Sequence, residues 1–195
     1  MNDIAIVIPT LDAEQAADTG ALALLHAGVD AKLIIVNGPP RGFTKTVNEG
    51  LRQTTTEDVC LLNDDVTWFQ PNWLAALQIG LYIKPHYGIV GPSGHSATVA
   101  REGKLGETGI TNVEKLSFWC VLLKRTMLDD IGLLDERYIH YRSDIEYCIR
   151  AARNGWQTIW VRDVWLKHEH HGSRVRGEWR KHDHREWKKG PPKWE

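Results

Sequence analysis

The sequence predicts an α/β domain with a mostly parallel central sheet flanked by helices, and three observations lead there. Ile4–Ile8, Leu33–Val36 and Val59–Leu62 are short, continuous apolar runs rich in β-branched residues. That is the pattern of strands covered on both faces. Segments of helical character alternate with them, and strand, helix, strand is the grammar of a layered α/β sheet. The runs also end in polar turns, Pro9-Thr10, Asn37-Gly38 and Asn63-Asp64-Asp65. Open sheets of this kind hold ligands at the carboxyl ends of their strands, so the three ends are expected to share one crevice.

Between the strands, Ala13–Ala27 reads as a helix closed by Gly28, and Thr44–Arg52 as a second. A third has Pro71 near its first turn and runs to about Ile83. Gly88–Gly94 looks like a strand entering a glycine-rich turn, and His95–Val113 is polar and weakly patterned, which predicts a mobile loop. Leu116–Leu123 is a further strand and Arg125–Ile131 a short helix. Ser143 to Gly155 forms a well-punctuated helix, with Ser143 as N-cap, Glu146 completing a capping box and Gly155 as terminator. Thr158–Val161 and Val164–Leu166 read as final strands.

At 195 residues the chain fits one ordinary domain, long enough to bury about 70% of its unfolded surface. The apolar run at the N-terminus lacks a basic flank and is too short for a signal peptide or a membrane span. Cys60, Cys120 and Cys148 are far apart in apolar surroundings with no CxxC, which predicts reduced core residues of a cytoplasmic protein. The formal net charge is −1, but from Lys167 onward the chain is crowded with Lys, Arg, His and Trp. We divide it into a domain of residues 1–173 and a basic, Trp-containing tail of residues 174–195, which reads equally as a solvated terminus.

Three places carry residues suited to chemistry. Asp64 and Asp65 follow a buried strand, so they project to opposite sides of the chain, and one can face a divalent metal while the other reaches a sugar or ribose hydroxyl. Two aspartates after a strand also make an ordinary turn. Asp144 falls in the first turn of its helix, where the dipole favours the ionised state a general base needs. His168 closes a strand and opens His-Glu-His-His. An imidazole joining Asp65 on one ion makes a nitrogen-plus-oxygen set that suits Mn²⁺.

In their order along the chain these pieces resemble a family-two glycosyltransferase of the GT-A (Rossmann-like) fold. The resemblance covers residues 4 to about 173. It rests on Ile-Val-Ile-Pro-Thr10, Asn48-Glu-Gly50, Leu61-Leu-Asn-Asp-Asp-Val66, Gly132-Leu-Leu-Asp-Glu-Arg-Tyr138, Ser143-Asp-Ile-Glu-Tyr-Cys-Ile-Arg150 and Asn154-Gly-Trp156, with the strand ending at His168. It implies an inverting, metal-dependent transfer from a nucleoside-diphosphate sugar to a glycan or other hydroxyl acceptor. Pro9, Thr10, Asn37, Asn48, Asp64 and Arg174 would bind the donor, Asp65 and His168 the Mn²⁺ (or Mg²⁺), and Phe118 and Trp119 the acceptor. Asp144 would be the base.

The chain departs from the family at Asn37, where an acidic residue usually reads the nucleobase, at Asn63 in the DxD-type triad, and at Ser143 before the base. A nucleotidyltransferase would want a glycine-rich, basic phosphate loop after the first strand, which Pro-Thr-Leu-Asp-Ala-Glu14 does not supply. The other alternative is a nucleotide-sugar or carbohydrate-binding module of the same fold that has lost turnover. Contact of the tail with a membrane surface or nucleic acid is a lesser reading, because acidic residues interrupt its basic ones.

Overall fold

The computed structural model describes residues 1–39, 41–95, 105–169 and 177–190. In chain order these form β1 (Ile4–Thr10), α1 (Ala13–Leu25), β2 (Ala31–Asn37), α2 (Phe43–Leu51), β3 (Asp58–Leu62), β4 (Val66–Phe69) and α3 (Trp73–Tyr82). There follow β5 (Tyr87–His95), β6 (Ile110–Val113), β7 (Cys120–Leu123), α4 (Arg125–Ile131), α5 (Ser143–Arg153), β8 (Gln157–His168) and α6 (Gly177–Lys188). The eight strands make one sheet in the order β2-β1-β3-β7-β5-β8-β4, with β6 also on β8. β1, β2, β3, β5 and β8 run one way, while β7, β4 and β6 oppose their neighbours.

Alternation along the strands sends successive side chains into two cores. Ile4, Ile6, Ile8, Cys60 and Leu62 pack under α1 and α3 with Leu74, Leu77 and Trp73. Ala5, Val7, Val59 and Leu61 pack under α2, α4 and α5 with Val47, Met127 and Tyr147. The buried Trp73 indole N–H donates to the Ala23 carbonyl at 3.0 Å and ties α3 to α1. All three cysteines are free and buried. Among the described residues no helix is long and apolar enough to cross a membrane.

The structure corrects several local expectations. The two final strands are one, β8, whose pairing with β5 shifts register between Pro92↔Val161 and Ser93↔Trp165. Part of the expected loop is β6, paired antiparallel with β8, and residues 96–104 of that loop lie outside the described set. The capping box at α5 does not form. Arg142, at φ 74°, occupies the N-cap position with no side-chain cap, because Glu146 is turned along the helix to Arg150. Most of the described tail is α6, a regular helix.

Candidate functional site

The parallel register of β1 on β2 sets Thr10 opposite Asn37, and β3 lies on the other side of β1. The polar ends of the three apolar runs therefore do meet at one edge of the sheet. The Thr10 hydroxyl accepts from the Asp12 N–H at 2.8 Å and donates to the Asp64 carboxylate. The Asp64 carbonyl in turn accepts from Gln15 Nε2 at 2.9 Å and from the Thr19 hydroxyl at 2.7 Å. These bonds fix the turn after β3 against the start of α1. Burial pushes the Asp64 carboxyl above the usual aspartate range, the Thr10 hydroxyl pulls it back, and Asp65 beside it raises it again. A cleft of about 520 Å³ opens on the α1 side of Asp64, walled by Asp12, Gln15, Thr19, Val66 and Thr67.

Asp65 meets His168 because β4 turns straight back onto β8. The antiparallel pair Val66↔His168 sets the register, and the Glu169 N–H donates to the Asp65 carbonyl at 3.0 Å just beyond it. His168 Nε2 then lies 2.8 Å from Asp65 Oδ1, with side-chain exposures of 4% and 15%. The Asn63 amide reaches the same ring nitrogen at 3.4 Å. Two donors on one octahedral ion with bonds of about 2.1 Å sit about 3 Å apart. The pair is thus spaced like neighbouring ligands, and its nitrogen donor suits Mn²⁺. Among the described residues no group of three or more His, Cys, Asp or Glu could hold an ion. Any metal here would take its remaining ligands from a bound diphosphate and water, a common arrangement for phosphate-linked divalent ions.

Phe118 and Trp119 part company. Trp119 is drawn to the site as its carbonyl accepts from the Asn63 N–H at 2.8 Å. Its indole lies against the His168 ring, centroids 5.0 Å apart and planes 7° from parallel. Gly94 makes room for it, since a Cβ there would come within 2.6 Å of the indole. The acceptor contact expected of Phe118 is not what the structure shows. Phe118 is 3% exposed and packs edge-on to Tyr147 of α5, on the opposite side of the sheet. Asn48 likewise does not join the strand ends. Its amide donates to the Leu134 carbonyl and Glu136 and accepts from the Leu134 N–H, which uses both its donors and one of its two acceptor sites. Pro9 pairs with Val36 one residue short of the crevice. Arg174 lies outside the described residues.

Asp144 opens α5, where its own carboxylate accepts the Ile145 N–H at 2.8 Å. Burial raises its carboxyl above the ordinary aspartate value, and the Ile145 N–H, Arg142 and Lys115 lower it in part. A carboxyl group whose pKa is raised in this way is a stronger base, once ionised, than a free aspartate. Sequence reasoning missed Asp183 of α6, fully buried against residues 139–141. Nothing in the hydrophobic pattern of the tail marks it.

No protein-family model matches the chain. The O-antigen biosynthesis protein RfbC of Myxococcus xanthus is 26% identical over 184 residues, 78% of this chain and 14% of its own length. The chain spans 18% and 14% of the lengths of the curated relatives it matches. GalNAc-T7, solved with UDP, GalNAc and Mn²⁺, superposes with a TM-score of 0.68 at 11% identity, over 86% of this chain and 44% of that one. The mannosyltransferase PcManGT of Pyrobaculum calidifontis, solved with GDP-Man and Mn²⁺, gives 0.64 at 17% identity, over 93% and 62%. With its strand order, its acidic turn after β3 and these neighbours, the chain has the GT-A fold.

Proposed function

We propose that the chain transfers a sugar from a nucleoside-diphosphate sugar to an acceptor hydroxyl with inversion, Asp144 serving as general base. The observation that carries this reading is the convergence of Asp65 and His168 at 2.8 Å beside the Thr10–Asp64 pair, at the ligand-binding edge of the sheet. The neighbours solved with UDP or GDP-Man and Mn²⁺ share the fold, and the O-antigen role of the relative RfbC favours a glycan acceptor.

Asp65 and His168 would hold the metal. A bound divalent ion supplies positive charge where the diphosphate leaves. Thr10 and Asn37 flank the crevice in which the nucleoside would lie, and Asp64, oriented by Thr10, would accept a ribose or sugar hydroxyl. Arg174, which lies outside the described residues, is kept as a contact of the diphosphate on the resemblance alone. As the acceptor oxygen bonds to the anomeric carbon, the bond to the diphosphate oxygen breaks and its electron pair leaves with that oxygen. The acceptor's proton passes to the Asp144 carboxylate. Attack from the face opposite the leaving group inverts the anomeric centre.

Nucleoside diphosphates and nucleotide-sugars tested for Mn²⁺-dependent thermal stabilisation, followed by turnover of the binders with glycan acceptors, check this reading. A donor at a hundred times its dissociation constant adds about 2.7 kcal/mol. If no nucleotide-sugar stabilises the chain in Mn²⁺ and none is consumed, the reading is wrong.

A further inference from the structure

Asp183 is a carboxylate with no exposure, the one buried residue of α6. It accepts three consecutive backbone N–H groups, from Ile139 at 2.7 Å, His140 at 2.9 Å and Tyr141 at 2.7 Å. A charged acceptor facing three donors is a strong, directional anchor. The rest of α6 grips the same segment. His182 Nε2 lies 3.0 Å from the Arg137 carbonyl, Trp187 packs on Tyr138 and receives Arg142 over its ring, and Trp179 packs on His140. From the opposite side Thr44 of α2 donates to the Ile139 carbonyl at 3.2 Å. Gly42, at φ 94°, permits that approach, since a Cβ there would lie 2.3 Å from the Ile139 oxygen.

The segment so held runs directly into Arg142, in the left-handed region, and then Ser143 and Asp144. A left-handed arginine without a side-chain cap is a sparsely populated geometry that its surroundings must enforce. We propose that Asp183 is a positioning residue for Asp144: by clamping residues 139–141 it sets where α5 begins, and hence where its first-turn carboxylate stands. The proposal rests on the reading of Asp144 as the base, and it gives the tail helix a part in the reaction without contact to substrate.

Asp183→Asn in the full chain keeps the shape but turns an amide against backbone donors. Amide exchange is expected to quicken about tenfold or more at Ile139, His140 and Tyr141 and also at Ile145, whose N–H reports on the Asp144 carboxylate, with β1 and β3 unchanged. Sugar transfer should lose about 10- to 100-fold in kcat, while Mn²⁺-dependent stabilisation by a nucleoside diphosphate stays native. Asp183→Glu, which keeps the charge on a longer stem, should fall between and serves if the asparagine variant does not fold. If residues 139–141 loosen while Ile145 exchange and kcat remain native, Asp183 merely anchors α6 and the proposal is overturned. Should the native chain transfer no sugar, the reading of its function fails separately, and Ile145 exchange still decides the clamp.

Discussion

The His168 imidazole lies flat on the Trp119 indole, 5.0 Å between centroids and 7° from parallel, with its Nε2 2.8 Å from the Asp65 carboxylate. The indole restricts the plane of the ring, and within that plane the nitrogen meets Asp65. Partners that orient a ligating histidine typically matter about 10- to 100-fold in metal affinity. Trp119→Phe, which keeps an aromatic face, should weaken apparent Mn²⁺ affinity toward the lower end of that range. Trp119→Ala should also destabilise the fold by about 3–5 kcal/mol, since the indole fills core volume. Metal titrations of the thermal midpoint and chemical denaturation separate the two effects.

Asp65→Asn and His168→Ala should each abolish the Mn²⁺-dependent part of donor binding, and EDTA should do the same to the native chain. The checking measurement is the nucleoside-diphosphate thermal shift with and without Mn²⁺. Equal shifts in all samples would remove the metal from the scheme.

Asp144→Asn should lower kcat by about 10²- to 10⁴-fold and leave the donor-induced thermal shift intact. Because burial raises the Asp144 carboxyl, the acid limb of the kcat/KM profile should fall above the ordinary aspartate value of about 3.9, activity rising as the group ionises. The same shift has a stability sign. The native state holds this proton more tightly than the unfolded chain, so the contribution is full below the unfolded pKa and is lost as pH rises through the folded one. Near neutral pH Asp144→Asn should therefore melt higher than the native chain, and the gap should close on acidification. Paired melting curves across pH test it.

Arg150 is nearly buried and fully engaged. It bridges to Glu146 at 3.0 and 3.1 Å and donates to the Ile131 carbonyl at 2.6 Å and the Leu133 carbonyl at 2.8 Å. Arg150→Met strands the Glu146 carboxylate and both carbonyls, a loss of about 3–5 kcal/mol. Urea denaturation should read this as a lower midpoint at unchanged slope.

Much of the sheet was legible because β1, β2 and β3 are unbroken apolar runs with polar ends, and those ends do converge. β4 was not, since only Val66 and Phe69 of its four residues are buried and it follows its neighbour after a three-residue turn. β6 lacks any buried side chain. Phe118 and Trp119 are adjacent and chemically alike, and only the pleat decides which one faces His168. Asn48 and Glu146 looked free for ligand or cap because their actual partners, the Leu134 backbone and Arg150, belong to tertiary contacts. α6 escaped notice for a different reason: its attachment is a buried charge meeting backbone donors, which leaves no trace in hydropathy.

The short ladder between β4 and β8 has one more implication. Only three residue pairs hold it, and Lys167 precedes the imidazole. With β8 held on β5 up to Lys167, deleting His168 would bring Glu169 opposite Val66. A second carboxylate would then face Asp65, and the proposed seat for a cation would exchange its nitrogen for a like charge.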